Sequence, residues 1–230
     1  SLKLKNNSLT DTNSMRFYLN YLDIFPLGEV ELRNMEDSIY NGRQVYHLRA
    51  EAKASEFISL FFNASAKLDS YVDKEKIYTL KFTQSLVIPE KPKDEKEVIY
   101  DQEKNIMELK GVKRQILPNT QDLLSTFFFI RKQAFEVGKE FDININTNQK
   151  NYRFLAKVIE KKDYDIAGEK IGVWVLKAEI GRRDKNPRHR SSITMWFLDN
   201  QAKTPILIKT MTNIGPTTAR LISLGNKKDD

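Results

Sequence analysis

The sequence contains no cysteine, and His47 and His189 are the only histidines among its 230 residues. Disulfides, thiolate metal sites and a cysteine nucleophile are therefore excluded, and a metal site built from several histidines is excluded as well. No apolar run approaches the roughly 18 residues that a transmembrane helix requires. From this inventory we expect no metal and no other cofactor.

Acidic residues are in the minority: 31 Asp and Glu stand against 38 Lys and Arg, which gives a formal net charge of +7 and a pI near 9.3. Such a balance favours acidic partners, namely polyanionic glycans, anionic lipid surfaces or nucleic acid. The excess is modest for this length. A lysine-rich surface that keeps the protein in solution is therefore the simpler interpretation.

What is abundant is the alternation of apolar and polar residues, which is typical of antiparallel strands joined by hairpins. FDININ (141–146) is one example, and Asn41-Gly42, Ala167-Gly168 and Asp199-Asn200 supply turns between such segments. Strands are predicted near 15–24, 28–38, 43–53, 63–73, 75–87, 97–101, 105–110, 139–148, 151–162, 170–180, 191–199, 205–213 and 217–224.

These strands indicate one mainly β domain over residues 1–230, because all-β units of this size often share a single core. The ends, 1–14 and 225–230, are expected to be poorly ordered. PEKPKDEKE (89–97) is expected to be a long charged hairpin loop. A short helix is expected near 54–62, with a strand as the alternative.

The segment DLLSTFFFIRKQ (122–133) breaks the alternation and predicts the main helix, near 120–133. Asn119 or Thr120 is expected to cap it, and Asp122 to lie in its first turn. At about 100° per residue, its apolar side chains cover more than half of the circumference: Leu123, Leu124, Phe127, Phe128 and Ile130 fall in one arc and Phe129 opposite. A flat sheet covers only one side of a helix. We therefore expect a strongly curved antiparallel sheet, a half-open β-barrel, wrapped around it.

Several segments in this order resemble an exported bacterial family of unknown function, numbered 3108, from about Met15 to Leu224. The segments are YLDIFPLGEVEL (21–32), GRQVYHLRAEA (42–52), SYVD (70–73), LLSTFFFIRK (123–132), FEVGKEF (135–141), AGEKIGVWVLKAE (167–179), WFLDN (196–200), TPILIK (204–209) and IGPTTARL (214–221).

The resemblance implies a fold similar to the periplasmic lipoprotein carriers LolA and LolB. It further implies a removed signal peptide, a periplasmic or outer-membrane-associated location, and membrane association through an amino-terminal anchor outside this sequence. The family offers no catalytic motif. Gly28, Gly168, Trp196 and Asp199 match recurrent positions, and each also fits a turn or a packing role.

GRRDKNPRHR (181–190) is the densest cationic segment, and it is expected to be a loop between strands. Guanidinium groups pair with carboxylate, sulfate or phosphate, and an indole stacks on a sugar ring. Binding of an acidic glycan or a lipid head group is therefore assigned to Arg182, Arg183, Arg188, Arg190 and Trp196. A plain solvated hairpin loop is the alternative. Nucleic acid is disfavoured because no helix-turn-helix, zinc module or ribonucleoprotein motif accompanies the loop.

His47 and His189 are the weak catalytic candidates. A lyase uses a histidine or tyrosine as base beside an arginine that neutralises a uronate carboxylate, and both histidines have arginines nearby in sequence. Strand alternation places His47 with Val45, Arg49 and Glu51 on the wetter face. Such pairs also arise by chance in a basic β protein, so an enzyme is not favoured.

Three functions remain open at this stage. The first is non-catalytic binding or carriage of a cell-envelope component, either an acyl-bearing molecule in the concavity or an acidic glycan at residues 181–190. The second is an enzyme, lyase-like, acting on an anionic polysaccharide. The third is a structural or assembly partner of another envelope protein, docked through a sheet edge or loop. The aromatic and Met side chains either line a hollow concave face or fill it, and the sequence leaves both open.

Overall fold

The computed structural model describes residues 12–55, 64–166, 169–184, 190–212 and 215–226. These residues form a fifteen-stranded antiparallel sheet and one helix, α1, at Leu123–Lys132. The strands are β1 Thr12–Tyr21, β2 Phe25–Asn34, β3 Ser38–Tyr40, β4 Arg43–Ala54, β5 Ser65–Asp73, β6 Thr79–Val87, β7 Asp94–Asp101, β8 Ile106–Leu109, β9 Val112–Gln115, β10 Glu140–Thr147, β11 Lys150–Ile166, β12 Glu169–Arg182, β13 Arg190–Leu198, β14 Pro205–Thr212 and β15 Gly215–Asn226. None of the described residues forms a helix long and apolar enough to cross a bilayer.

The sheet runs from β10 to β15, continues from β15 to β1, and then runs through β2 and β4 to β9, with β3 beside β4. Its two outermost strands, β9 and β10, therefore flank the helix in sequence. The Asn151 side chain, which lies on β11 opposite Asn146 of β10, donates to the Gln115 carbonyl of β9 at 3.0 Å, so the β10–β11 hairpin and β9 are close in space. In the described residues no ladder joins β9 to β10. We call this junction the seam.

The segment before the helix covers the free edge of β10. The Gln121 amide donates to the Asn144 carbonyl at 2.8 Å, and the Asn146 amide donates to the Gln121 carbonyl at 2.9 Å. On the inner side, the Tyr100 hydroxyl reaches the Asn146 carbonyl at 3.4 Å. The sheet is thus strongly curved but not closed, which confirms the predicted mainly β half-barrel.

Two boundary predictions are wrong, and a third falls mostly outside the described residues. Residues 94–97 belong to β7 rather than to a long loop, because charged residues occupy its solvent side and pair across strands, as Lys81 does with Glu97 at 2.7 Å. Residues 12–14 and 225–226 are strand rather than frayed ends, because β1 and β15 pair there, with Ser14 opposite Gly225. The short helix expected near 54–62 falls largely on residues 56–63, outside the described residues, and Ala54 ends β4.

Asp122, not Asn119 or Thr120, is the N-cap of α1. Its Oδ1 accepts from the backbone amides of Leu124 at 2.7 Å and Ser125 at 2.9 Å, and Ser125 Oγ accepts from the Asp122 amide at 2.8 Å. This reciprocal arrangement satisfies amides that the first turn leaves without partners. The earlier residues cannot cap because the chain still turns there, with Asn119 at φ 55°.

The sheet packs against α1 from more than one side, as predicted. Phe128 lies against Leu48 and Val72, on β4 and β5. Ile130 lies in the cluster built by β10 to β13, where Phe127 and Phe129 also pack. Leu123 is the exception: it is 49% exposed, whereas the polar Ser125 and Thr126 are buried.

The concave face is filled in one half. Between α1 and strands β10 to β13 lies the largest core cluster, in which Met195 is 3% exposed and Tyr152 and Trp174 pack at the margin. These side chains therefore belong to a packed core rather than to a ligand cavity. The hollow part of the concave face lies elsewhere, beside β1, β2 and β4.

Two recurrent positions of the family have structural roles. A Cβ atom at Gly28 would lie 2.1 Å from the Lys53 carbonyl oxygen, so only glycine allows this approach of β2 to β4. Asp199 accepts from the Trp174 indole at 2.7 Å and thereby ties the β13–β14 turn to β12. Gly168 lies outside the described residues.

Candidate ligand-binding cavity

A cavity of about 430 Å³ lies between α1 and the concave side of β1, β2 and β4. This volume falls in the range of about 300–1,000 Å³ that is usual for small-molecule sites. The turn between β13 and β14 borders it through Gln201 and Ala202. The cavity is thus built from five segments of the chain.

Apolar walls make up half of the cavity lining, and Asn13, Asn34, Gln201 and four cations supply most of the rest. Register pairs Met15 with Leu32 across β1 and β2, and the alternation of each strand turns both side chains toward the helix. The residues that form these walls are Met15, Leu32, Leu48, Leu124, Phe127 and Phe128. Hydrophobic alternation in the sheet and the broad apolar surface of α1 together produce this lining.

The last turn of α1 places two cations at the cavity, Arg131 and Lys132. The Arg131 guanidinium donates to the Ala202 carbonyl at 3.0 Å and to the Lys203 carbonyl at 3.3 Å, so it is fixed by carbonyls rather than by an acid. Burial lowers the pKa of Arg131 to about 10, which leaves it charged at neutral pH. In the described part of the chain, no carboxylate lies within 4 Å of Arg131 or Lys132.

A third cation strengthens the positive potential. Burial lowers the pKa of Lys203; Asp199 opposes this shift, and the charges of Arg131 and Lys132 add to it. Mutual repulsion of this kind arises where cations gather without enough counter-charge. An anion placed among them would relieve it.

Arg33 and Arg49 also border the cavity, but each has an acidic partner. Arg33 Nη2 lies 3.1 Å from Glu31 Oε2, and Arg49 Nε lies 2.7 Å from Asp69 Oδ1. The lining residues include no Asp or Glu. The charge available to a ligand therefore comes from the end of α1.

His47 lies outside this cavity. Leu48 faces the helix, so its neighbour His47 points to the other side of the sheet, where its Nε2 lies 2.6 Å from Asp69 Oδ1 and its ring stacks on Tyr71 at 4.5 Å. On this face Val45 is fully buried beneath Tyr78 and Leu80, whereas His47, Arg49 and Glu51 are partly exposed; on the opposite face Leu48 and Ala50 are buried, as the alternation predicts.

Asp69→Asn is expected to make the free energy of unfolding fall less steeply than that of the wild type as pH is lowered into the acid range. Burial alone would raise the pKa of Asp69, but hydrogen bonds from His47 and Arg49 outweigh it and hold the pKa below its ordinary value. A carboxyl with a lowered folded-state pKa stabilises the fold above about pH 4, and this contribution is lost as pH falls through the folded value. Urea unfolding between about pH 7 and pH 2.5 measures it. Parallel curves for the two proteins below pH 4 would contradict the network.

The residues assigned to the cationic loop are only partly brought together. Arg182 pairs with both carboxylate oxygens of Asp184, and Arg183 Nη2 lies 2.5 Å from Asn144 Oδ1. Trp196 stands apart, midway along β13, with its indole donating to the Tyr164 hydroxyl at 3.2 Å. Arg188 and His189 lie outside the described residues, and Arg190 begins β13, its side chain not described.

Sequence reasoning missed the cavity residues as a set. Arg131 and Lys132 fit the ordinary preference for cations at the negative end of a helix, and Met15, Leu32 and Leu48 fall in predicted strands. The signal that could have indicated a site was two adjacent cations at the helix end with no acidic residue between 123 and 135. In the described residues, no three His, Asp or Glu side chains come together as metal ligands do.

The curled sheet, the helix inside it and the cavity beside that helix define an open β half-barrel. The chain belongs to the family described as protein of unknown function (DUF3108), whose family model matches residues 14–222. A search of curated proteins found no match.

A solved structure shares the fold. It is the crystal structure of a beta-barrel-like protein of domain of unknown function DUF1849 from Brucella abortus, with a TM-score of 0.62 and 10% identity over 95% of this chain and 98% of that chain. At this identity the likeness shows the fold alone. The expected similarity to LolA and LolB stays a prediction.

Proposed function

We propose that this protein is a non-catalytic binder or carrier of an anionic amphiphile in the cell envelope. The acyl part occupies the cavity beside α1, and the anionic head group meets Arg131 and Lys132. The observation that carries the proposal is a cavity of about 430 Å³ whose lining combines apolar side chains with cations and contains no carboxylate. The envelope location is supported by the resemblance to exported proteins.

The energetics favour an occupant with both parts. Each buried methylene contributes about 0.8 kcal/mol, so the apolar walls select for a hydrocarbon chain. The carboxyl end of a helix repels anions through its dipole, and the adjacent cations of the last turn offset that effect. A guanidinium offers paired donors that fit carboxylate or phosphate, and partial burial strengthens the interaction.

Binding is favoured over catalysis by the residue types present. The lining residues provide no imidazole, carboxyl, hydroxyl or thiol group, and the one amine among them, that of Lys132, has no acid or base beside it in the lining. His47, the strongest catalytic candidate in the described chain, lies on the other side of the sheet and is held by Asp69. A lyase reaction therefore has no support from this cavity.

Leu124→Trp is expected to weaken fatty-acid binding by at least about tenfold, because the indole fills the space that the acyl chain needs. The measurement is titration of the purified protein with a fluorescent long-chain fatty acid, beside native mass spectrometry for co-purified acyl species. Leu123→Trp is the matched control: the neighbouring side chain is 49% exposed and does not line the cavity.

Equal losses in the two tryptophan variants, or none in either, would contradict the cavity as the binding site. The head-group half is tested with the fatty alcohol of the same chain length, which lacks the charge. It is expected to bind more weakly than the acid to the unchanged protein, and this difference should shrink in Lys132→Ala. An alcohol that binds as tightly as the acid would remove the role of the cations.

A further inference from the structure

A second cationic depression lies at the seam and shares no residue with the cavity beside α1. We call it the seam groove: it has a volume of about 780 Å³ and lies between β9, the β10–β11 turn and the end of β12. Its charged residues are Lys113, Arg114, Lys150, Arg182, Arg183 and Asp184. The curled sheet brings these three separate segments together.

The charge of the seam groove is not a general property of this surface. Five cations line it against one acid, Asp184, which is occupied by Arg182. A groove of similar size, about 700 Å³, lies on β5 to β8 and contains four lysines against four carboxylates. The groove on β5 to β8 therefore serves as a charge-balanced control for the cationic seam groove.

Side-chain amides hold two of the five cations of the seam groove, Arg114 and Arg183, whereas Arg182 pairs with Asp184 and Lys113 lies 3.8 Å from Glu108. Arg114 Nε donates to Gln149 Oε1 at 2.8 Å, and Arg183 Nη2 donates to Asn144 Oδ1 at 2.5 Å. An amide fixes a guanidinium without neutralising it. The Asp142 carboxylate lies 3.9 Å from Arg183, and it is already engaged by two nitrogens of Arg153.

Hydrogen bonds to backbone carbonyls also connect the segments that form the groove. The Arg183 amide donates to the Asn151 carbonyl at 3.0 Å, and the Asn151 side chain donates to the Gln115 carbonyl at 3.0 Å. These bonds connect β12, β11 and β9 in turn. Cations on segments that are hydrogen-bonded to one another lose less conformational entropy on binding than cations on an unconnected loop.

We infer that the seam groove is a binding site for an acidic oligosaccharide. Arginine and lysine recognise its carboxylate or sulfate groups, and the side-chain amides of Asn148 and Gln115 supply donors and acceptors for sugar hydroxyls. Single-stranded nucleic acid is the less suitable polyanion, because its bases stack on aromatic side chains and the groove lining has none. This site does not depend on the amphiphile proposal.

The test is calorimetric titration with hexagalacturonate at low and physiological salt, with maltohexaose as the neutral analogue. Arg114→Ala combined with Lys150→Ala is expected to weaken hexagalacturonate binding by at least about tenfold, because two charge-assisted contacts are lost. Lys93→Ala combined with Lys96→Ala removes the same charge from the balanced groove and is expected to change the affinity less than about twofold. Fatty-acid binding should be unchanged in both.

Three results would overturn the inference. If the two double variants weaken binding equally, binding depends on the net charge of the protein and not on the seam groove. If maltohexaose binds as tightly as hexagalacturonate, the acid groups of the ligand are not recognised. Tighter binding of a single-stranded hexanucleotide than of hexagalacturonate would assign the groove to nucleic acid. Lys113→Ala with Lys150→Ala repeats the test without touching the Arg114–Gln149 bond, so a folding defect from Arg114 cannot obscure the answer.

Discussion

Asp122→Ala is expected to lower the free energy of unfolding by about 3–5 kcal/mol, measured by urea unfolding at neutral pH. The Asp122 carboxylate accepts from two helix amides and also from the hydroxyls of Ser70 at 2.5 Å and Thr79 at 2.9 Å. Loss of an N-cap alone costs about 0.5–2 kcal/mol, and each buried donor left without a partner adds to it. The carboxylate thus ties α1 to β5 and β6 at once.

Asp122→Asn separates the contribution of the N-cap hydrogen bonds from that of the carboxylate charge, because the asparagine side chain keeps one acceptor oxygen but carries no charge. Burial raises the pKa of Asp122 above its ordinary value, against the opposing hydrogen bonds from Ser70 and Ser125. A raised folded-state pKa means that its stabilisation is complete at acid pH and declines as pH rises through the folded value. The stability gap between wild type and Asp122→Asn should therefore narrow as pH rises. A gap that widens would show that the carboxylate is stabilised in its charged form.

Phe128→Ala and Ile130→Ala are expected to destabilise the protein by similar amounts, about 3–5 and 2–5 kcal/mol, because each leaves a cavity in a different wall of the core. Phe128 is 9% exposed and its ring lies 4.9 Å from that of Tyr46, whereas Ile130 is 1% exposed among β10 to β13. Urea unfolding of both variants measures the two sides of the wrapped helix separately.

Leu123→Ala provides the matched control for these core substitutions. Its side chain is half exposed at the start of the same helix, so the change should cost no more than about 0.5 kcal/mol. If the helix were covered on one side only, one of Phe128→Ala and Ile130→Ala would lower the free energy of unfolding strongly and the other only slightly. That outcome would contradict the enclosure of α1 by a curved sheet.

The curvature of the sheet was predictable from the helix rather than from the strands. Phe127, Phe128 and Phe129 are consecutive, so they point in three directions, and burying all of them requires walls on several sides. What the sequence could not show is strand length where the pattern is too short or too charged. Ser38–Tyr40 and Val112–Gln115 were missed because three or four residues carry no readable alternation, and β9 is exposed along its whole length.

The two candidate sites differ in how far the sequence indicates them. Charge density drew attention to Arg182 and Arg183, yet Arg114 and Lys150 carry no local signal and join the groove only through the curl of the sheet. The cavity is harder still to predict. Alternation shows that Met15, Leu32 and Leu48 face inward, but whether inward residues meet or leave a gap depends on the distance between α1 and the strands, which no single segment determines.

The incomplete circle of strands has a mechanical consequence. At the seam the described ends are held by a handful of discrete bonds, such as those of Gln121 to β10 and of Asn151 to Gln115, instead of by a continuous ladder. An open sheet of this kind is expected to separate first at the junction where the pairing is interrupted. Widening there breaks those few bonds and leaves the paired ladders of the described strands whole, so this junction is where the sheet is expected to open at the lowest cost in free energy.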